Sequence, residues 1–220
     1  MKCQLSARRR CELLAGGARP VSVFSQRTND DDRVWMAFAP ASAGQLCLTN
    51  TMFAAKGRRA YGALSYNTLC MNYFECELYE QTGIEPERHP WLRPVRAAYA
   101  WRRDGKPYSF YRVEGEEVHE VAVGPVHAGV IEPGHFRFQC HGEEILHLEI
   151  QLGYQHRGIE ELLPRQKLSQ QLVLVESIAG DSVIGHITAF CSAIEALAGV
   201  SPSLRDQAVR GIRRLANCRY

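Results

Sequence analysis

The sequence predicts an α+β protein, in which a small α/β domain is followed by a β-hairpin and a set of helices. Apolar and polar residues alternate strictly through residues 146–152, which is the period of a strand. Apolar residues recur every three or four positions from Ile184 to Leu197, which is the period of an amphipathic helix. Hydrophobic residues make up 45% of the 220 residues and charged residues 23%, so the composition is that of a globular protein.

The first part of the chain divides into an N-terminal segment and a small domain. Residues 1–30 show no clear period and stay unassigned, and residues 29–32 indicate a loop before the first ordered element. Short apolar stretches at residues 34–38 and 45–48 predict strands, and residues 74–81 predict a helix that ends at Gly83. Three prolines make residues 85–96 extended or turning. The charged residues 114–117 indicate a connector, so the first domain covers residues 31–115.

The second domain covers residues 116–220 and begins with strands. Residues 136–140, the turn His141-Gly142 and residues 143–152 predict a β-hairpin. Leu146, Leu148 and Ile150 alternate with polar residues. We therefore expect the apolar face of this hairpin to be buried and its polar face to be exposed.

Helices follow the hairpin. The pattern becomes helical after Gly153, is interrupted at Pro164 and resumes in a helix that Ser169 can cap. Gly180 predicts a break, and Gly199 ends the amphipathic helix that follows. A last helix begins after Ser201-Pro202, and its apolar residues are expected to face inward. Those residues are Leu204, Ala208, Ile212 and Leu215.

Composition and spacing exclude several classes of function. A net charge of +2 gives no reason to expect nucleic-acid binding. The eight cysteines contain no C-x-x-C pair, so neither zinc nor an iron–sulfur cluster is predicted in this chain. No apolar run reaches the roughly 18 residues of a membrane span, so we expect a cytoplasmic protein. The chain also lacks a glycine-rich dinucleotide fingerprint, and direct NAD binding is not expected.

Two histidines flank a turn-rich loop. His127 and His135 lie around a run that contains Gly124, Gly129 and Gly134 together with two prolines. Such a loop can project imidazoles into a cavity, where they can donate or accept a proton near neutral pH. The alternative is that both are surface histidines at the start of a hairpin, and spacing favours this simpler interpretation.

A second polar group lies where the hairpin gives way to helix. His156 and Glu160 are four residues apart, which places them one turn apart on one helix face, and Arg157 can bind an anion. The alternative is an ion pair at the start of a helix. Glu176 and His186 lie on either side of the break at Gly180. None of these groups by itself selects a reaction.

Several consecutive motifs together resemble one family. The runs GPVHAGVIEPGHFRF, GEEILHLEIQLGYQHRGIEELL and LVESIAGDSVIGH, within residues 124–216, resemble the N-terminal part of the large subunit of energy-converting [NiFe]-hydrogenases of the formate hydrogenlyase type. That family is related to the D subunit of complex I-type NADH:quinone oxidoreductases. The upstream run FECELYEQTGIEPERHPWLRPVR resembles the complex I C subunit, which such proteins carry fused ahead of the D-like part.

The resemblance implies roles for particular residues. His127 and His135 fall on the loop that lines the quinone headgroup pocket. His156 and Arg157 fall on a pair near the terminal iron–sulfur cluster of a partner subunit, and Glu160 falls on a glutamate that gates protons. His186 matches a histidine in the second shell of the metal site. Glu160 and His156 are thus the expected catalytic residues, and Arg157 and His186 are expected to face the cluster or metal.

The chain also departs from the family pattern. Ala179 and Ser182 stand where the hydrogenases have two cysteines, and the second cysteine pair would lie beyond Tyr220. Nickel needs thiolates as soft ligands, so no nickel–iron centre and no directly bound cofactor is expected, although a quinone is possible. Cys76 replaces an arginine of the C-subunit signature.

The resemblance implies a place in a larger assembly. The expected partners are a small iron–sulfur subunit and antiporter-like membrane subunits, which would hold the chain on the inner face of the cell membrane. Its expected function is to support electron transfer from iron–sulfur clusters to quinone or protons, as an oxidoreductase subunit that is inactive alone. The alternative is a truncated, non-catalytic remnant that keeps only a docking or assembly role.

Overall fold

The structure is a computed structural model that describes residues 7–28, 31–40, 46–54, 56–96 and 109–217. The chain forms two compact units, Met1–Tyr154 and Gln155–Tyr220. Both helices and strands are present, and the predicted α+β class is confirmed. The predicted domain boundaries at residues 30 and 115 stay predictions.

The first unit begins with a helix and a three-stranded antiparallel sheet. Helix α1 (Ala7–Ala15) is followed by β1 (Arg19–Thr28), β2 (Asp31–Ala39) and β3 (Cys47–Phe53), which lie in the order β1-β2-β3. The predicted strand at residues 34–38 is confirmed. Val34, Met36 and Phe38 are buried at alternate positions of β2, so one face of the sheet builds the core.

The prediction for the N-terminal segment is wrong. Residues 7–15 form a helix, residues 19–28 form a strand, and Asp31 and Asp32 already belong to β2. Strand β1 has only a weak sequence period because Val23 is its one fully buried residue and its C-terminal end is exposed. Pairing with β2, from Arg19 opposite Ala39 to Thr28 opposite Asp31, therefore decides this strand.

A helix closes the core of the first unit. Strand β4 (Ala60–Gly62), a 3₁₀ turn at Leu69–Met71, helix α2 (Asn72–Thr82) and strand β5 (Glu85–Glu87) follow in order, and β4 pairs parallel with β5. Gly83, with a left-handed φ of 66°, ends α2 as predicted. The largest apolar side chains of the core are fully buried; they are Phe38, Met71, Leu78, Ile84 and Val34.

A second antiparallel sheet completes the first unit. It consists of β6 (Val118–Val123), β7 (His135–His141) and β8 (Glu144–Gln151), in the order β6-β7-β8. The predicted β-hairpin is confirmed, with Phe138 opposite Leu148 and Phe136 opposite Ile150. The register contains a bulge between Gln139 and Cys140.

The expected burial of the hairpin is wrong. Leu146 and Leu148 are exposed, whereas Glu149 on the other face is only 3% exposed. The polar face can be covered because its groups bind one another and the segment at residues 110–111. Arg137 forms an ion pair with Glu120 at 2.8 Å, and the backbone N–H of Tyr111 donates to Glu149 Oε2 at 3.0 Å.

The second unit is helical. It contains α3 (Ile159–Leu162), a 3₁₀ turn at Leu163–Arg165, α4 (Leu168–Glu176), a 3₁₀ turn at Gly180–Ser182, α5 (Val183–Ala198) and α6 (Leu204–Asn217). The predicted break at Gly180 and the predicted stop at Gly199 are confirmed. Among the residues that the structure describes, no single helix is long and apolar enough to cross a membrane; α4 and the stretch Gly180–Ala198 pass by length and composition only as a pair bent by 111°.

Two local predictions for the second unit are wrong. Ser169 lies inside α4, whose N-cap is Lys167. Leu204 and Ile212 of α6 are exposed rather than facing inward. The helical period places these leucine and isoleucine side chains on one stripe, but burial requires another element to pack against that stripe.

Candidate functional site

The loop between β6 and β7 is closed by His127. Its Nε2 donates a hydrogen bond to the carbonyl oxygen of Gly134 at 2.8 Å, and the Gly134 N–H donates to the Pro125 carbonyl at 3.0 Å. Donation to a carbonyl requires the hydrogen on Nε2. Nδ1 is therefore the ring nitrogen that can interact with a further group.

The point where the two ends of this loop approach each other requires glycine at position 124. Gly124 has a φ of 92°, and a Cβ there would lie 2.2 Å from the Gly134 oxygen and 2.6 Å from His127 Nε2. The His127 ring also packs edge-on against Phe136, with 5.5 Å between ring centroids. Glycine and aromatic packing together fix the imidazole in place.

His135 begins β7, directly after the residue that binds His127. It pairs with Gln151 across the sheet. The structure thus brings His127 and His135 to the same end of the second sheet. Their predicted contact with a quinone stays a prediction.

An apolar cavity of about 270 Å³ opens beside this end of the sheet. Gln151 and Leu152 line it, and a Cβ on Gly134 would lie 3.4 Å from Leu152 Cδ2. The other lining residues are Tyr73, Arg93, Pro94, Val95, Phe110, Glu149 and Ile150. The cavity therefore lies between the end of the hairpin and the proline-rich segment at residues 93–95.

Arg93 supplies the positive charge in the wall of this cavity. Its Nη1 donates to the Ile150 carbonyl oxygen at 2.9 Å, and its Nη2 donates to the Tyr73 hydroxyl. The guanidinium carbon also lies 4.0 Å from the centre of the Trp91 ring. These contacts hold the segment after β5 against the edge strand β8.

The arrangement predicted for His156 and Glu160 is wrong in one respect. Helix α3 begins at Ile159, and Gly158, with a φ of 67°, separates His156 from it. The two residues therefore do not lie one turn apart on one helix. His156 is exposed, and Glu160 is exposed in the first turn of α3.

Arg157 has a local structural role in the second unit. Its Nη1 donates to the Ser177 carbonyl oxygen at 2.8 Å, and its Nη2 donates to Gln155 Oε1 at 3.3 Å. It thereby ties the residues before α3 to the end of α4. The predicted contact of Arg157 with a cluster in a partner subunit stays a prediction.

Ala179 and Ser182, where the resemblance implies cysteines, lie on one tight turn. Ala179 precedes the 3₁₀ turn, and the Ser182 N–H donates to the Ala179 carbonyl at 3.3 Å. Residues three apart in such a turn lie on the same side, so two cysteines here could bind one metal. A methyl group and a hydroxyl do not replace thiolates, and the part of the chain that the structure describes contains no group of three or more His, Cys, Asp or Glu suited to a metal. The residues present do not fit a nickel–iron centre. His186, half-buried in α5, keeps its predicted role only by resemblance.

The first unit contains a buried carboxylate that the sequence pattern does not predict. Glu75 on α2 is fully buried and accepts hydrogen bonds from the Leu64 N–H at 2.8 Å, the Ser65 N–H at 2.9 Å and the Ser65 hydroxyl. Burial raises the pKa of the Tyr61 phenol well above its usual range, and the Glu75 charge raises it further. The only signal for this site was an acidic residue on the apolar face of a helix.

The neighbouring Cys76 is a buried thiol. Its Sγ lies 3.8 Å from His89 Nε2 and 3.7 Å from the Trp91 carbonyl oxygen. Burial raises the pKa of this thiol, while Arg93 opposes the shift. Cys76 is therefore a buried packing residue.

Comparison with known proteins supports a relationship over part of the chain. The chain is 34% identical to the carbon monoxide-induced hydrogenase of Rhodospirillum rubrum over 92 residues, which cover 42% of the chain and 26% of that protein. It is 32% identical to formate hydrogenlyase subunit 5 of Escherichia coli over 111 residues, which cover 50% and 20%. It is also 32% identical to the C/D subunit of the NADH-quinone oxidoreductase of Phocaeicola vulgatus over 97 residues, which cover 44% and 19%.

The predicted resemblance to these hydrogenases and quinone oxidoreductases is confirmed over that part of the chain. The matched stretch spans about a fifth to a quarter of the length of these relatives. No protein-family model matches the chain. Another relative is the membrane-bound hydrogenase subunit alpha of Pyrococcus furiosus, which is 30% identical over 93 residues.

Proposed function

We propose that the chain is a subunit of a membrane-associated oxidoreductase complex of the hydrogenase and NADH-quinone oxidoreductase type. It supports electron transfer from iron–sulfur clusters, held by a small partner subunit, to a quinone or to protons. Antiporter-like membrane subunits hold the complex on the inner face of the cell membrane, and this chain lies on the cytoplasmic side. The observation that carries the proposal is the loop closed by His127, because its sequence resembles the loop that lines the quinone pocket in the quinone oxidoreductases.

The loop supports quinone binding better than metal binding. His127 Nε2 is held by Gly134, so Nδ1 is presented in one defined orientation. A neutral imidazole accepts a hydrogen bond at Nδ1, and a protonated imidazole donates one there. His127 can therefore bind either a hydroxyl or a carbonyl oxygen of a quinone. His135 lies at the same end of the sheet, beside an apolar cavity that can exclude water.

Proton transfer is assigned to the residues after the hairpin. Glu160 and His156 are proposed as the acid and base, with Arg157 and His186 facing the partner's cluster or the former metal position. Because Gly158 separates His156 from α3, these two residues lie on different segments of the second unit.

Quinone binding is tested on the chain co-purified with its cluster-binding partner. Titration with a short-chain ubiquinone analogue is compared for the wild type and for a His127→Ala, His135→Ala double variant. We expect the affinity of the double variant to fall at least about fivefold, because each lost hydrogen bond costs about 0.5–1.5 kcal/mol. Unchanged binding in the double variant would exclude the quinone assignment.

A matched control is available on the same sheet. His119 lies on β6 and His141 ends β7, and both are exposed at the opposite end from the loop. The His119→Ala, His141→Ala double variant changes the same number of imidazoles and should bind the analogue as the wild type does. Elemental analysis of the purified complex checks the metal, and stoichiometric nickel bound to this chain would contradict the proposal.

A second candidate is a non-catalytic subunit that keeps only a docking role. The specific observation in its favour is the turn at residues 179–182, which carries Ala179 and Ser182 where the resemblance implies cysteines. If the chain has only a docking role, it should co-purify with the partner. Neither histidine double variant should then change quinone binding or electron transfer. The same titration therefore distinguishes the two functions.

A further inference from the structure

The second sheet turns an uncharged apolar face outward. The strand register aligns Val121 with Phe138 and Leu148, and Val123 with Phe136 and Ile150. Directly paired residues point to the same side of a sheet, so these six side chains share one face. We call these six residues the outer sheet face.

The outer sheet face is open although the opposite face is covered. Val121 and Leu148 are each 41% exposed, and Val123 is 42% exposed. On the opposite face, Glu120, Arg137 and Gln139 bind one another, and Phe110 lies over Arg137 with 4.3 Å between the guanidinium carbon and the ring centre. The polar side of the sheet is therefore covered over β7 and β8, where Gln139 and Glu149 are buried, whereas the apolar side is open.

Exposed apolar residues continue beyond the strands. Val126, Val130 and Ile131 lie in the loop that His127 closes, and all three are more than half exposed. The outer sheet face joins this loop through Val123 and Phe136, which flank it. Proteins rarely expose a contiguous apolar surface of this kind unless it binds a partner.

The other end of the sheet is acidic. Glu116 and Glu117 precede β6, and Glu143 and Glu144 lie at the hairpin turn; all four are exposed. The strand pairing brings these two segments together, since Val118 lies opposite His141 and His141 opposite Glu144. Glu117 Oε2 also lies 3.1 Å from His141 Nε2. The apolar face is thus bordered at one end by carboxylates.

We propose that the outer sheet face is the docking surface for a separate protein subunit. The partner carries an apolar surface bordered on one side by lysine or arginine, which face the four glutamates. Charge complementarity argues for this partner, because the acidic border repels an anionic lipid surface. It also repels a second copy that would bring its own glutamates to the same end. Docking at this face does not depend on quinone binding.

Site-specific photo-crosslinking in the source cell tests the surface. The crosslinker p-benzoylphenylalanine replaces Val121 or Leu148 in the full chain, and it replaces Ala122 in the control. Ala122 is exposed on the neighbouring position of β6 and points to the opposite face. Both outer positions should crosslink to the same second protein, at a peptide with lysine or arginine nearby, and Ala122 should not.

Charge reversal and purified components complete the test. The second protein, once identified by mass spectrometry and purified, should bind the purified chain, and Glu117→Lys with Glu144→Lys should weaken that binding several-fold. An unchanged thermal unfolding midpoint shows that the charge-reversal variant is folded. Crosslinks to the chain itself, to lipid, to an acidic peptide, or equally from Ala122 would overturn the proposal. A partner that belongs to no oxidoreductase complex would leave the docking surface intact while counting against the proposed function.

Discussion

The two compact units bury their apolar residues to very different extents. The first unit encloses Phe38, Met71, Leu78 and Ile84 completely between a sheet and a helix. In the second unit, burial is described for residues 155–212, and Val175 is the only buried residue among them. A helical period thus specifies an apolar stripe, whereas burial of that stripe requires a second surface.

This difference sets where stability resides. Removing apolar area from water contributes about 25 cal/mol per Å², so fully buried side chains account for most of the favourable free energy of folding. Leu197 and Leu204 of the second unit are 85% and 84% exposed and contribute little of this kind. Mutations should therefore have large effects in the first unit and small effects in the second.

The largest effect is expected from Phe38→Ala. Phe38 is fully buried in β2, and its truncation leaves a cavity in the core of the first unit. We expect a loss of about 3–5 kcal/mol in the free energy of unfolding, measured by urea denaturation. The control is Leu204→Ala, which should change this free energy by less than about 0.5 kcal/mol. Equal effects of the two variants would show that the contrast between the units is wrong.

The next effect concerns the buried carboxylate. Glu75→Gln replaces an acceptor-only group with an amide, so an NH₂ group faces the backbone N–H of Leu64 or Ser65. A loss of about 1–3 kcal/mol in unfolding free energy is expected, again from urea denaturation. The matched control is Glu77→Gln on α2, where the side chain is half-buried and bound to Arg96. A Glu75 variant as stable as that control would show that the three hydrogen bonds contribute nothing.

Thiol reactivity should separate two cysteines of the first unit. Cys70 is exposed, whereas Cys76 is buried and its pKa is raised by burial, which lowers its thiolate fraction at pH 8. Iodoacetamide should alkylate Cys70 in the native protein and Cys76 only after denaturation, as read by peptide mass spectrometry. Rapid native labelling of Cys76 would mean that the first unit opens locally.

The smallest effect is expected at the start of α6. The Ser203 hydroxyl and backbone N–H donate to Asp206, and these bonds lower the pKa of the Asp206 carboxyl below its usual value. A lowered pKa in the folded state means that this capping contribution is present above the usual Asp range and is lost as the pH falls through the folded pKa. Ser203→Ala should raise the Asp206 pKa in a carbon-13 NMR titration.

Ser201→Ala is the control for this experiment, because Ser201 precedes the cap and is exposed. It should leave the Asp206 titration unchanged. If both variants shift the titration equally, the hydroxyl of Ser203 is not the cause of the lowered pKa.

Much of the local structure was predictable from sequence. The helix stops at Gly83 and Gly199, the break at Gly180 and the hairpin at residues 136–152 follow from glycine conformation and from short-range periods. Strand β1 was missed because most of its residues are exposed and its existence depends on pairing with β2. Helix α1 was missed because its Leu13 and Leu14 pack against core residues that are distant in the sequence. The turn-rich neighbours of His127 indicated it as a candidate site residue. The sequence did not predict its hydrogen bond to Gly134.

The sequence by itself determined the order of the helices and strands that follow β1 in outline, and the likeness to the hydrogenase and quinone oxidoreductase subunits. Only the tertiary structure decided which face of the second sheet is covered, that Glu75 is a buried acceptor, and that Gly158 separates His156 from Glu160. The physical reason is that a period or a motif is carried by neighbouring residues. Burial and hydrogen bonding depend on residues far apart in the chain. The contact between Tyr111 and Glu149 is an example that no local sequence pattern predicts.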